Sequence, residues 1–472
     1  MSPHAVPPSE MGSPYSDNVA YLMQKHAVTS NGFLPAKAPL CRLPDMYYLP
    51  WERLANEMPV LLDNGTLRSR VDAMDVLSTE FLRSEPEWRR AFVVLSFLTH
   101  AYVWGGQEPA EILPASISVP FLEVAKVLEL PPVLAYAGSN LWNFTTSGRD
   151  FTDVDSLRCL HTFTGTEDES WFFVISVAME AQAASIIPSS LAALEAIKTR
   201  DYATITSALA EMDACIAKVG ALIERMHERC DPDVFYHKIR PFLAGSKNME
   251  AAGLPRGVFY SESATDPEKG EWRQLRGGSN GQSSMIQFFD VVLGVQHTNE
   301  GNGRPSPAAT PASSSRSSPE PMAASTTAPK PSFHEEVRDY MPGPHRRFLT
   351  AASQMGSIHE LAVSVGQLAS TTTTTTTTTT PEQDAFLAAY KKATQTLTAF
   401  RNIHIQIVTR YIILPARRAG QKGTTGAKKD LASASAGESD DNGAPELKGT
   451  GGTTLIPFLK QARDETSAAG NV

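Results

Sequence analysis

The sequence predicts an all-α protein, and three observations carry that prediction. Apolar residues recur three and four apart over long stretches such as 87–104 and 205–230. Runs that alternate apolar and polar residues, the mark of a half-buried strand, are nearly absent. Prolines and glycines gather at the joints between the periodic stretches. With 472 residues, 42% of them hydrophobic, the chain is long enough for two or more domains and a large core.

Residues 1–28, rich in Pro, Ser and His, read as a flexible tail without the basic start and apolar run of a signal peptide. Residues 29–163 form a small helical domain with helices expected over 71–82, 87–104 and 121–130, the last stopped by Pro131 and Pro132. Residues 164–472 form a larger helical domain. Its first helix, 171–187, is apolar nearly all round and is expected to end at Pro188. The stretch 205–230 is amphipathic, with Leu209, Met212, Ile216, Val219, Ile223 and Met226 on one stripe. A helix over 282–295 follows the glycine-rich RGGSNG. A long helix starts at Pro381, where Thr380 can cap and Gln383 can close a capping box. Three segments break the pattern: about 301–332, about 367–380 with its threonine run, and about 418–453. They hold too few large apolar residues to offset chain entropy and are expected to be mobile. The third reads equally as a lid loop or a plain linker.

A net charge of −9 argues against a nucleic-acid binder. The longest uncharged stretch, 91–106, is too short to span a bilayer. Cys41, Cys159, Cys215 and Cys230 are scattered, without zinc-knuckle or covalent c-type haem spacing, which suits a reducing compartment. The expectation is a cytoplasmic monomer with no membrane and no nucleic-acid partner.

Residues 396–417 carry the most specific local signal. Leu397, Phe400, Ile407, Val408 and Tyr411 surround His404 at helical spacing, so His404 faces a core, and Arg401 one turn earlier faces nearly the same way. Two readings follow. One is a core histidine hydrogen-bonded to a neighbour, the usual state of a lone buried histidine. The other is a neutral imidazole that ligates a haem iron while the cation meets a propionate. The helix by itself favours the first.

Four separated segments shift that balance. They are ESWFFVISVAMEA at 169–181, DPDVFYHKIRPFLAG at 231–245, RGGSNGQSSMIQFFDVVLGVQH at 276–297 and FRNIHIQIVTRYIILPAR at 400–417, supported by YMPGPHRRFL at 340–349 and KGTGGT at 448–453. Together they resemble the indoleamine 2,3-dioxygenases, haem enzymes that open the indole ring of tryptophan, over roughly residues 40–465 apart from the insertions. The insertions look like those of a fungal member. The resemblance implies a small helical domain packed on a larger helical bundle, with haem b between them.

Carried over by position, the resemblance makes His404 the proximal iron ligand and Arg401 the partner of a haem propionate. Asp290 falls behind the proximal side, where a carboxylate would orient the imidazole. Gly278 and Ser279 match a close backbone approach over the haem. Phe235 matches an aromatic against the substrate indole and Arg240 the clamp on its carboxylate. Tyr136, Phe172 and Ser176 match the indole pocket, Leu243 adds an apolar contact, and Thr450 matches a lid residue. Tyr236, Ser139, Asn140 and Asn280 depart from well-known animal members and add polar groups near the substrate. The implied reaction joins L-tryptophan and O2 to give N-formylkynurenine, the first step of the kynurenine pathway and of NAD synthesis from tryptophan, with no side chain acting as acid or base. A haem-binding regulatory protein with little turnover, and an all-α scaffold without haem, are the rival readings.

Overall fold

A computed structural model describes residues 16–266, 268–298, 333–370, 379–421, 436–439, 445–447 and 455–472. Seventeen α-helices are described: α1 Asp17–Lys25, α2 Leu49–Asp63, α3 Leu67–Asp72, α4 Glu85–Trp104, α5 Ala115–Val127, α6 Glu167–Gln182, α7 Ile186–Ala196, α8 Tyr202–Glu224, α9 Pro232–Val234, α10 Arg240–Leu243, α11 Ser284–Leu293, α12 Phe333–Arg338, α13 Gly343–Ser353, α14 Ile358–Ser370, α15 Pro381–Val408, α16 Leu414–Gln421 and α17 Leu455–Ala469. The all-α class holds. The described strands are two to four residues long: β1 Ile112–Leu113, β2 Phe144–Thr146, β3 Leu157–Cys159, β4 Val258–Ser261, β5 Gly270–Arg273, β6 Ala436–Ser439 and β7 Pro445–Leu447. They pair as β1-β4-β5, β2-β3 and β6-β7, with β1 and β4 parallel and the other pairs antiparallel.

One contiguous hydrophobic cluster runs from Val19 in α1 to Ala469 in α17. Its spine is α15, which lies along α8 on one side and α17 on another, while α6 and α7 rest on α8. The start of α15 follows its sequence signature. Thr380 accepts from the Gln383 amide while the Gln383 side chain accepts from the Thr380 amide, and Pro381 occupies the first turn. On the opposite flank α4 packs against α2 and α5. A buried bidentate pair, Arg90 to Glu52 at 3.0 and 2.6 Å, ties α4 to α2, and the Leu43 amide donates to the same carboxylate at 2.8 Å. The most apolar part of 167–199 would suit a membrane by length and composition, yet 72% of it is buried inside the protein.

Several boundaries differ from expectation, each for a local reason. The expected tail is helical over α1, because Ser16 caps it and Val19 buries against the core. The helix expected over 71–82 ends at Asp72. Tyr47 and Tyr48 capture the Ser78 backbone there, one hydroxyl accepting from its amide and the other donating to its carbonyl. Pro188 does not end the apolar run: it sits in the first turn of α7, where a missing N–H costs nothing. Residues 367–370, placed in an insertion, complete α14. The expected insertion at 301–332, the threonine run through 378 and Thr450 lie outside the described residues.

The glycine-rich turn before α11 is set by backbone contact. A Cβ added at Gly277 would lie 2.1 Å from the Leu243 carbonyl oxygen and 2.5 Å from the Gly245 amide nitrogen, so only glycine lets these two chains meet. Gly277→Ala is expected to destabilise the protein by about 2–3 kcal/mol through this overpacking, read as a lowered urea midpoint. A surface Gly65→Ala control, whose Cβ would meet nothing within 4 Å but whose φ is +70°, is expected to cost only the smaller strain of its backbone.

Candidate active site

A cavity of about 210 Å³ lies among α6, α8, α10, α11, α15 and α17. Its walls are largely apolar: Phe172 and Ile175 from α6, Ile223 from α8, Phe400 and Ile407 from α15, and Leu455, Phe458 and Leu459 from α17. Three π-helical turns also line it, Ala137–Leu141, Phe235–Ile239 and Thr409–Ile413, contributing Ser139 and Asn140, Phe235, and Tyr411 and Ile412. Such turns are rare and concentrate at functional sites. Phe235 and Arg240 are five residues apart, which is one turn of π-helix, so both face the cavity.

His404 faces this cavity from near the C-terminal end of α15. Burial, assisted by Arg401, pushes its imidazole down to about 4, so it is neutral near pH 7. Neither ring nitrogen finds a hydrogen-bond partner among the described residues. His100 shows the contrast. It too is pushed down to about 4 by burial, but its Nδ1 meets the Phe242 carbonyl at 2.7 Å and its Nε2 accepts from the Leu134 amide at 3.0 Å. His100 is the hydrogen-bonded core histidine; His404 is a neutral imidazole with a cavity before it.

Arg401 lines the same cavity one turn earlier and pairs with Asp290 at 2.5 Å. Burial would raise the Asp290 carboxyl, but Arg401 and His297 outweigh it and hold it well below the usual carboxylate range. Asp290 accepts from His297 Nε2 at 3.2 Å, and His297 Nδ1 meets Glu465 of α17 at 2.6 Å. The expected role of Asp290 is therefore corrected. It holds Arg401 and His297 and makes no hydrogen bond to His404, because α11 meets α15 a turn before the imidazole. Arg401 Nε is buried without a partner, so a donor remains for an incoming carboxylate.

Of the other expected residues, Tyr136, Ser139, Asn140, Phe172, Ser176, Phe235, Arg240, Leu243, Gly278, Ser279 and Asn280 all line the cavity. Phe172 and Phe235 meet with ring centres 4.8 Å apart. Gly278 runs close under the wall, where an added Cβ would lie 3.1 Å from the Leu134 carbonyl oxygen. Arg240 is only 2% exposed. Tyr236 does not line the cavity: one residue on from Phe235 the π-turn carries it behind the wall, where the Arg240 guanidinium stands 5.6 Å above its ring.

Some neighbours escaped sequence reasoning. Glu180 sits behind Tyr136 and Ser176, accepting from Ser283 Oγ at 2.6 Å. The clue was the same as for Asp290, a lone acid in an apolar helix. Burial pushes its carboxyl up to about 7, against the hydrogen bonds of Ser283 and Tyr136 that favour the charge. His334 was missed because it follows the variable insertion; it lines the cavity, stacks on His297 at 3.8 Å, and is pushed down to about 3 by burial and by His297. A raised carboxyl confers stability below its unfolded value of 4.5 and loses it as pH rises through 7. Glu180→Gln is therefore expected to flatten part of the fall in urea midpoint between these pH values, with Glu169, also raised to about 7 by burial, sustaining the rest.

The residues fit a haem. A haem needs an apolar slot, one neutral axial ligand and cations for its carboxylates. The cavity supplies Phe400, Ile407 and Leu459, then His404, then Arg401 with its spare donor. A single neutral histidine suits an iron whose in-plane ligands a porphyrin supplies.

The family model described as indoleamine 2,3-dioxygenase matches residues 22–469. The indoleamine 2,3-dioxygenase nanC of Aspergillus nanangensis is 37% identical over 449 residues, covering 93% of this chain and 94% of the relative. The indoleamine 2,3-dioxygenase of Saccharomyces cerevisiae is 35% identical over 470 residues, covering 96% and 94%. The 6-hydroxytryptophan 2,3-dioxygenase fscD of Fusarium equiseti is 33% identical over 442 residues, covering 93% and 95%. A match across nearly the whole chain, on top of the cavity geometry, places this protein in the indoleamine 2,3-dioxygenase family of dioxygenases.

Proposed function

We propose that the protein is a haem-dependent dioxygenase that cleaves the indole C2–C3 bond of L-tryptophan with O2 to give N-formylkynurenine, feeding the kynurenine route toward NAD. One observation carries the reading: an unpartnered neutral His404 and a buried Arg240 face one mainly apolar cavity. Haem b, when bound, supplies the iron that binds and activates O2. His404 would hold that iron from one face, and Arg401 would take a propionate with the donor that Asp290 leaves unspent.

The remaining chemistry is positioning. Arg240 offers a planar fork to the substrate carboxylate, and burial strengthens that charge pairing. Phe172, Phe235 and Leu243 hold the indole by apolar contact and exclude water from it. Glu180 is engaged with Ser283 and stands behind the wall, so no proton transfer is assigned to it. Both atoms of O2 enter the product, and no external reductant is consumed in the overall equation.

The test is turnover by purified protein, loaded with haem and reduced, given L-tryptophan and O2. Formation of N-formylkynurenine supports the reading. Haem loading without product across a wide tryptophan range supports the non-enzymatic haem protein instead.

A further inference from the structure

Tyr411 lines the cavity but carries a hydroxyl that the proposed reaction does not use. It lies on the π-helical turn Thr409–Ile413, is 1% exposed, and meets the Phe235 ring edge-on at 5.8 Å. Its hydroxyl donates to the Cys230 carbonyl at 2.8 Å and lies 3.1 Å from His227 Nδ1. The two rings are within 9° of parallel. His227 sits on the 3-10 turn Arg225–Glu228 after α8 and is exposed. One tyrosine–histidine pair therefore crosses the wall from the cavity to solvent.

A wall that only encloses its contents needs no hydroxyl here, because a phenylalanine ring would fill the same place without a polar group to satisfy. The Cys230 carbonyl could serve the hydroxyl as an acceptor, but a carbonyl is too weak a base to take its proton. A neutral imidazole can take it. Burial and Arg410, against Glu224, push His227 down, so it is neutral near pH 7. Burial pushes the Tyr411 phenol up, so it keeps its proton unless the ring is oxidised. An oxidised phenol is a strong acid, and a base in contact lets the electron and the proton leave together. Tyr390 gives the contrast. Its hydroxyl lies 3.0 Å from His359 Nδ1 but also donates to the Leu293 and Ala469 carbonyls, and it does not line the cavity. That pair fastens helices. Tyr411 follows His404 by seven residues, roughly 10 Å along the helix axis, and both face the cavity.

Resting on the haem-binding reading above, we propose that Tyr411 and His227 form a redox-active pair that gives the protein a second activity, the reduction of hydroperoxides by small one-electron donors. The overall step joins a hydroperoxide, two electrons and two protons to give an alcohol, or water from hydrogen peroxide, and one water as the O–O bond breaks. The hydroperoxide takes the electrons from the loaded haem. Tyr411 returns one electron to the haem, and its phenolic proton moves to His227 Nδ1. A donor such as ascorbate then gives an electron to the phenoxyl radical, and the proton returns from His227. Two passes supply both electrons. Each donor releases one proton to water, which matches the two that the peroxide oxygens take up.

The experiment mixes ferric, haem-loaded protein with one equivalent of hydrogen peroxide, without tryptophan, and freezes it for electron paramagnetic resonance. A tyrosyl radical is expected, identified by the narrowing of its spectrum in protein grown with ring-deuterated tyrosine. Tyr411→Phe is expected to lose it and to bleach its Soret band faster per peroxide added. His227→Gln keeps the phenol but lacks the base, so its radical yield and its rate of ascorbate oxidation by peroxide are expected to fall roughly tenfold or more, with tryptophan turnover unchanged. Tyr390→Phe is expected to keep the radical. A radical that survives Tyr411→Phe, or is indifferent to His227→Gln, overturns the pair while leaving the haem reading intact. Protein that shows no Soret band when haem is supplied overturns the haem reading and the pair with it.

Discussion

His404→Ala is expected to abolish stable haem retention. The imidazole is neutral at physiological pH and faces the cavity without a hydrogen-bond partner, so its lone pair is free for an iron. The alanine variant keeps the apolar slot and Arg401 but loses the axial bond. Loss of an outer partner of a metal ligand costs roughly 10–100-fold in affinity, and loss of the ligand itself is expected to exceed that. Haem transfer to an apo-haem acceptor protein measures the loss directly. Added imidazole, which fits the space the side chain vacates, is expected to restore a histidine-like Soret spectrum. A variant that keeps wild-type haem affinity and spectrum would remove His404 as the ligand, and His334, the other neutral histidine facing the cavity, would become its replacement.

Arg240→Ala is expected to give the second largest effect, with haem retained. The guanidinium is almost fully buried and stands over the Tyr236 ring, so the bound carboxylate meets a charge shielded from water. Losing one partner of a buried charge pair costs about 2–4 kcal/mol, or roughly 30- to 1,000-fold in kcat/KM. The loss is expected mainly in KM, because the clamp holds the carboxylate equally in substrate and transition state. Arg240→Lys keeps the charge and loses the planar fork, so it is expected to recover only part of the activity. Unchanged kinetics for a carboxylate-bearing substrate would take Arg240 out of the site.

Much of this site was legible in the chain because helical spacing projects residues predictably. His404, Arg401 and Phe400 were expected on one face of a long capped helix, and they line one cavity. Phe172 and Ser176, four apart on α6, do the same. Three things were hidden. The π-helical turns have no signature in apolar periodicity, and Tyr236, expected near the substrate by its position in the matched segment, is carried behind the wall by the wider turn. The partners of Asp290 depend on where α11 meets α15 and α17, a long-range geometry that local pattern does not contain. The short strands β4 and β5 and the turns at 73–84 answer to tertiary partners rather than propensity. Position along the chain matched against a family supplied roles, such as the carboxylate clamp, that spacing alone left unassigned.

The most direct test of the central claim is the origin of the oxygen atoms in the product. Reduced, haem-loaded protein would be supplied with L-tryptophan and isotopically labelled O2 in ordinary water, and the fresh product weighed by mass spectrometry. The proposed reaction predicts N-formylkynurenine carrying two labelled oxygen atoms, with the label lost in His404→Ala because no product forms. A product with one labelled oxygen, or none formed by fully loaded protein, would contradict it.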